Sequence, residues 1–232
     1  GDSTGRVSSI ITNKGEEIAC EFVGVTVGVS PNISIVKNTE IETDKGILVN
    51  EFFETNMPDI YAVGDCVQHR NPPEGRRPVE QVWYTGRLHG ETLAQTICGK
   101  KTAYNPAPWF NSAKFMDIEY QTYGAINAAS LENESSFYWE HEGGKICFRA
   151  VYDKDDENII GLNVLGIRLR HEVCDKWLQE KRNIDDVMAN LHHLNFDPEF
   201  FDKHEKNILS EYNKQTGKNV KRKKKKMLSF FN

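Results

Sequence analysis

The amino-acid sequence predicts an α/β region followed by an α+β region, and two observations carry that reading. Runs of β-branched residues lead to a short apolar segment that ends in Gly64-Asp65 and gives way to a helix-like stretch. After Asn105-Pro106-Ala107-Pro108 the pattern changes to meandering strands and then to helices, the order expected of an α+β unit. At 232 residues, 38% hydrophobic and 27% charged, the chain has enough apolar material to bury a real core.

Val7 to Thr12 and Ile18 to Val29 read as strands joined by a turn at Asn13-Lys14-Gly15. Phe22 to Val29 is apolar enough to be buried on both faces, as parallel or sandwiched strands are. Ile47 to Phe53 reads as another strand, and Ile60 to Val63 as a short, fully buried one. Pro78 to Cys98 reads as a helix, with proline in its first turn, Glu80 near the positive end of its dipole and Gly99 just past its end. Gly86 and Gly90 inside it, each costing about 1 kcal/mol relative to alanine, predict a smooth face for close approach of a strand or ligand.

In the second region, strands are expected near Ala113 to Ile126, Ser136 to His141, Lys145 to Tyr152 and Ile159 to Leu165, with a hairpin signal at Gly143-Gly144. Helices are expected near Arg168 to Glu180, Ile184 to Ala189 and Pro198 to Asn213.

The formal charge of -5 hides an asymmetry, because Lys218 to Lys226 holds seven basic residues and no acid, leaving 22 basic against 34 acidic elsewhere. A body near -12 argues against nucleic acid as a partner, since phosphate neutralisation needs clustered Lys and Arg. The basic tail, 216–232, reads as disordered, and its Lys221 to Lys226 next to Met227-Leu228-Ser229-Phe230-Phe231 suits an anionic membrane surface.

Five cysteines spaced at least 27 positions apart, with no C-x-x-C, fit a reducing, cytoplasmic setting. No apolar run reaches the ~18 residues of a membrane span. The chain opens on Gly1 in strand-like material, which reads as the edge of a longer protein.

No metal site is expected: His171-Glu172 and His204-Glu205 lack the second histidine of H-E-x-x-H and read as surface helix residues. Gly161 to Gly166 has phosphate-loop glycine spacing, but Ile167-Arg168 replaces the Lys-Ser/Thr, so it reads as a strand with glycines. Cys66 reads as a small buried side chain, and His89 and His141 as packing or surface residues.

The richest stretch is Thr55-Asn56-Met57-Pro58-Asp59-Ile60-Tyr61-Ala62-Val63-Gly64-Asp65. Glycine lets a ligand approach the backbone, and the aspartate can accept hydrogen bonds from sugar-like hydroxyls at the carboxyl edge of a sheet. By itself, a strand ending in Gly-Asp is an ordinary turn signal. As a whole, the stretch resembles the second FAD motif of the pyridine nucleotide-disulphide oxidoreductases, T-x-x-x-x-I-Y-A-x-G-D, at every fixed position. Val25 to Asn32 looks like the family's link between NAD and FAD domains, and Gly46 to Val49 like the strand before the motif. Trp83, Gly90, Gly99 and Pro108-Trp109-Phe110 match the rubredoxin and ferredoxin reductase branch, although Asn111 stands where that branch usually has a second tryptophan.

The resemblance implies a partial two-dinucleotide-binding flavoprotein fold. Residues 1–24 would end the NAD(P)-binding domain, 25–105 form the second half of the FAD domain, and 106–215 form a C-terminal domain. It implies FAD and NAD(P)H as cofactors, with a hydride passing from NAD(P)H to FAD and electrons on to a redox acceptor such as a small electron carrier. It assigns Gly64 and Asp65 to the ribityl chain, and Gln81, Val82 and Trp83 to the flavin's pyrimidine edge. It names no catalytic residue and sets no oligomeric state. The glycine-rich dinucleotide turns are not in these 232 residues, which predicts a chain inactive by itself. The competing reading is a degenerate flavoprotein-like module kept for protein contacts.

Overall fold

The computed structural model describes residues 1–196 and 202–223. The first region is built from short elements. A hairpin pairs β1 (Ser9–Ile11) with β2 (Glu17–Ala19), and β3 (Ile47–Val49) runs parallel to β4 (Val67–His69). Helix α1 (Trp83–Ile97) packs beside this pair, and Gly99 at φ +91° follows its end. The small core here joins Ile47, Val49, Phe53, Ala62, Val67, Leu93 and Tyr104.

The second region holds a five-stranded antiparallel sheet in the order β5-β6-β9-β8-β7. Its strands are β5 (Phe110–Phe115), β6 (Ile118–Gly124), β7 (Glu134–Glu140), β8 (Cys147–Asp153) and β9 (Ile159–Leu165). Helices α2 (His171–Gln179), α3 (Ile184–Ala189) and α4 (Glu205–Thr216) follow. They bury Cys174, Trp177, Val187, Met188, Ile208 and Tyr212 against Phe137, Phe148, Leu162 and Val164 of the sheet. Gly144 at φ +69° turns the β7–β8 hairpin where Gly143-Gly144 predicted it.

Several expectations need correction. Phe22 to Val29 forms no regular strand and lies open, with Val27 90% exposed, because no neighbouring strand covers it among the described residues. Ile60 to Val63 is not a strand: Tyr61 makes a single bridge to Glu54, and the strand of this segment lies beyond Gly64-Asp65, at Val67–His69. The segment expected as one strand from Ala113 to Ile126 is a hairpin whose tip is Met116 at φ +53° and Asp117. Methionine is a poor residue for that backbone, and Asp117 by itself is a weak turn signal.

The predicted helix start at Pro78 is also displaced, to Trp83. Glu80 is drawn instead into a bidentate pair with Arg76 (Nε–Oε1 2.8 Å, Nη2–Oε2 2.5 Å), and Val82 stays extended at φ -130°, ψ 132°. The last helix starts at Glu205 rather than Pro198; residues 197–201 lie outside the described ones.

Residues 216–223 of the expected disordered tail are held. The Lys218 ammonium pairs with Glu157 and Asp185, the Lys223 backbone amide donates to the Ala189 carbonyl, and Val220 packs on the core. The membrane reading of the tail falls mainly on residues 224–232, outside the described ones. Among the described residues, no helix is long and apolar enough to cross a membrane, and none of the five cysteines is in a disulfide.

Candidate functional site

The Thr55–Asp65 segment is a double turn organised by its own first residue. The Thr55 backbone amide and hydroxyl both donate to the Ile60 carbonyl (3.0 and 2.9 Å), and its hydroxyl oxygen accepts the Met57 amide (3.1 Å), closing a loop around Asp59 at φ +60°. Ala62 then donates to the Phe53 carbonyl, tying the segment to the core. At Gly64 the chain turns with φ +85°, which glycine alone adopts without strain, and the Gly64 carbonyl accepts the Val67 amide (3.2 Å). Asp65 stands exposed on this turn, and its carboxylate has no protein partner among the described residues.

The turn packs on α1 near the first of its two glycines, but neither glycine is required by that packing. A Cβ on Gly86 would lie 3.8 Å from the Gly64 Cα, whereas Gly90 faces open space. One helical turn from Gly86, His89 accepts the Gly64 amide at Nδ1 (3.2 Å). His89 is not a lone histidine: with His69, Tyr104 and Phe53 it forms a buried ring cluster, its Nε2 lying 3.4 Å from the His69 Nε2. Burial depresses the basicity of both histidines, His89 to about 4, with its neighbour His69 adding to the effect, and pushes the Tyr104 phenol up to about 12.

Gln81 and Val82 line a cleft of about 580 Å³ between the two regions, together with Trp109, Thr122, Gly124 and Asn127. Gly64, Asp65 and Trp83 do not line it. Trp83, at the first position of α1, is 70% exposed with its ring edge toward Tyr84, so it is not a core aromatic. No side chain caps this helix start, leaving its first amides without side-chain acceptors.

The cleft wall is braced by the Arg76–Glu80 pair, whose side chains are only 6% and 7% exposed. Arg76 also donates to the Ala107 carbonyl (2.9 Å) and Glu80 accepts from Thr85 (3.0 Å), so the pair fastens the segment around Ala107 to the first turn of α1. Burial works against the Glu80 charge, but the hydrogen bonds and charge of Arg76, with the Arg77 amide and Thr85 hydroxyl, hold its carboxyl below the usual range.

Sequence reasoning missed the contributions of Trp109, Thr122, Gly124 and Asn127, which only the closing of the second region's sheet brings to the cleft. Gly124 carries a visible signal after the fact: a Cβ there would sit 2.2 Å from the Ile160 carbonyl oxygen. Asn111, in the place of the branch's second tryptophan, donates to the Tyr120 hydroxyl (3.0 Å). Cys66 is half-buried, its thiol directed at the Val63 carbonyl. His171 is exposed but rests on Phe110 and Tyr123, while His204 is half-buried between Trp139 and His141. Among the described residues no group of three His, Cys, Asp or Glu is placed to hold a metal.

Comparison with known proteins agrees with the motif. Residues 1–90 match the family model described as pyridine nucleotide-disulphide oxidoreductase. A ferredoxin–NAD(P)(+) reductase of Sphingomonas sp. is 33% identical over 52% of this chain and 29% of its own length. A rubredoxin-NAD(+) reductase of Ectopseudomonas oleovorans is 31% identical over 50% of this chain and 30% of its own. The chain therefore spans about 30% of the length of these curated relatives.

Among solved structures, a NAD-dependent persulfide reductase from A. fulgidus superposes with a TM-score of 0.72 at 19% identity, covering 91% of this chain and 43% of that one. An FAD-dependent pyridine nucleotide-disulphide oxidoreductase from Desulfovibrio vulgaris gives 0.65 at 20% identity, covering 81% and 49%. These likenesses establish a partial flavoprotein-reductase fold of mixed α and β content. Over its first ninety residues, this chain is similar to the pyridine nucleotide-disulphide oxidoreductase family.

Proposed function

We propose that this chain is the C-terminal part of an FAD-dependent NAD(P)H oxidoreductase, with Gly64-Asp65 at the ribityl chain and Gln81, Val82 and Trp83 at the pyrimidine edge of the flavin. The observation that carries the reading is the Gly64-Asp65 turn: an exposed carboxylate, unpartnered among the described residues, beside a glycine, at the end of a family motif and backed by a helix. An added Cβ at Gly64 would meet nothing within 4 Å, so a ligand has room to approach this backbone. The residues present fit the ribityl and flavin-edge part of FAD.

Bound FAD supplies the redox chemistry, taking a hydride from NAD(P)H and releasing electrons to an acceptor. This chain's own residues bind and orient. Asp65 accepts hydrogen bonds from ribityl hydroxyls, and its charge strengthens them. The uncapped start of α1 favours negative charge at its amides, which suits the electron-rich edge of a reduced flavin. Gln81 and Val82, just before that helix start, line the cleft, and Trp109 adds an aromatic wall.

The domain division belongs to the same proposal: 1–24 as the end of the NAD(P)-binding domain, 25–105 as the second half of the FAD domain and 106–215 as the C-terminal domain. It is supported by buried residues falling into two clusters on either side of 105–108. The acceptor is a small electron carrier or a similar redox partner, supported by relatives named as ferredoxin and rubredoxin reductases and by the lack of a C-x-x-C pair.

The test is to mix the purified 232-residue chain with FAD, desalt it and record its absorbance, alongside the full-length protein. The chain is expected to keep no stoichiometric flavin and not to oxidise NAD(P)H, while the full-length protein does both. A flavin retained near one per chain would overturn the reading of a partial site, and a flavin-free full-length protein would overturn the FAD assignment.

A further inference from the structure

We propose that His89 is the positioning residue of the Gly64-Asp65 turn, held in one tautomer by His69, so that a neutral histidine pair sets the pose from which Asp65 meets its ligand. The inference rests on the FAD reading for the ligand, but the turn and its support stand on geometry alone. Gly64 turns at φ +85° with its amide pointing inward, and such an amide needs an acceptor. The acceptor is His89 Nδ1 at 3.2 Å, and His89 is 2% exposed, so water does not substitute.

That bond dictates the protons of both rings. Because His89 Nδ1 accepts, its ring proton sits on Nε2, which donates across 3.4 Å to the His69 Nε2; the His69 proton is then on Nδ1. Protonating His89 would put an N–H on Nδ1 facing the Gly64 N–H, and the support would be lost.

The surroundings keep the pair neutral. His69 reaches it from β4, Tyr104 from the segment after α1, and Arg76 and Glu80 from the segment before it, with Phe53 beneath. Desolvation disfavours an imidazolium most, His69 and Arg76 add to this, and Glu80 alone opposes it. The Arg76 and Glu80 charges are spent largely on each other. Gly86, on the same helix face, meets the turn at van der Waals distance, its Cβ position lying 3.8 Å from the Gly64 Cα.

The experiment is nitrogen-15 NMR of the labelled 232-residue chain near neutral pH. Long-range proton–nitrogen spectra are expected to place the His89 proton on Nε2 and the His69 proton on Nδ1. In His89→Leu the Gly64 amide proton should move upfield, and in His89→Asn, whose side-chain oxygen falls near the Nδ1 position, it should return toward its original shift. A purely space-filling histidine would show no such rescue. An Nδ1 proton on His89, or a Gly64 amide unmoved in His89→Leu, overturns the proposal; if a variant does not fold, the tautomers of the unmodified chain still decide.

In the full-length protein, His89→Leu should weaken FAD retention roughly 3- to 10-fold, the loss expected for one neutral hydrogen bond, and His89→Asn should largely restore it. If the NMR results hold while Asp65→Ala leaves FAD retention intact, the flavin reading fails and the turn assignment stands. If flavin binding depends on Asp65 but the Gly64 amide ignores His89, the reverse is true.

Discussion

The two regions of this chain solve the burial problem differently. The second closes a five-stranded antiparallel sheet with helices and buries whole aromatic side chains such as Phe137, Phe148 and Tyr212. The first has two-stranded pairings only, a small core around Phe53, and an apolar stretch at 22–29 left open to solvent. The motif-bearing turn sits on the sparser region, where it depends on a few specific polar supports rather than on mass packing. Such a region is expected to open at lower free energy than a packed sheet.

The strongest way to break this contrast is at the Arg76–Glu80 pair. Removing one partner of a buried ion pair leaves the other charged and unpaired, so Glu80→Ala should cost about 3–5 kcal/mol of stability to the elements it braces. Denaturant unfolding followed by hydrogen exchange would locate that loss around α1 and Ala107. A uniform loss across the sheet strands would mean that the two regions unfold as one.

Acid sharpens the contrast at intermediate strength. The folded basicities of His69 and His89 are depressed, so their neutral burial contributes full stability above the unfolded histidine value near 6.5 and loses it as pH falls toward about 4. Urea unfolding at about pH 7 and about pH 5 should show a loss of protection confined to the first region. Equal stability of that region at both values would contradict buried neutral histidines. The smallest effect belongs to the open stretch: Val27→Ser should change the stability of this chain by less than about 0.5 kcal/mol, as at other exposed positions. A larger loss in a thermal melt would mean that the segment is covered in solution.

Legibility in the sequence followed the same divide. Gly143-Gly144, β9 and α3 were readable because local turn chemistry and apolar periodicity agree with the fold. Thr55 to Asp65 was readable as a motif, although its backbone is a pair of turns rather than a strand end. Three features were hidden because distant partners decide them. Arg76 pulls Glu80 out of the expected helix, the 116–117 turn carries a methionine at positive φ, and His89 meets Gly64 from 25 residues away. The exposed 22–29 stretch misled for a similar reason, since composition reports a wish to be buried but not a surface to be buried against.

The central claim is that the Asp65 carboxylate is the chain's contact with the ribityl part of FAD. Its most direct measurement is FAD dissociation from the full-length protein and from its Asp65→Ala variant. A charge-assisted hydrogen bond is worth about 1.5–3 kcal/mol, so retention should weaken by roughly 10- to 100-fold with the fold intact by circular dichroism. Equal retention of FAD by both proteins would contradict the assignment.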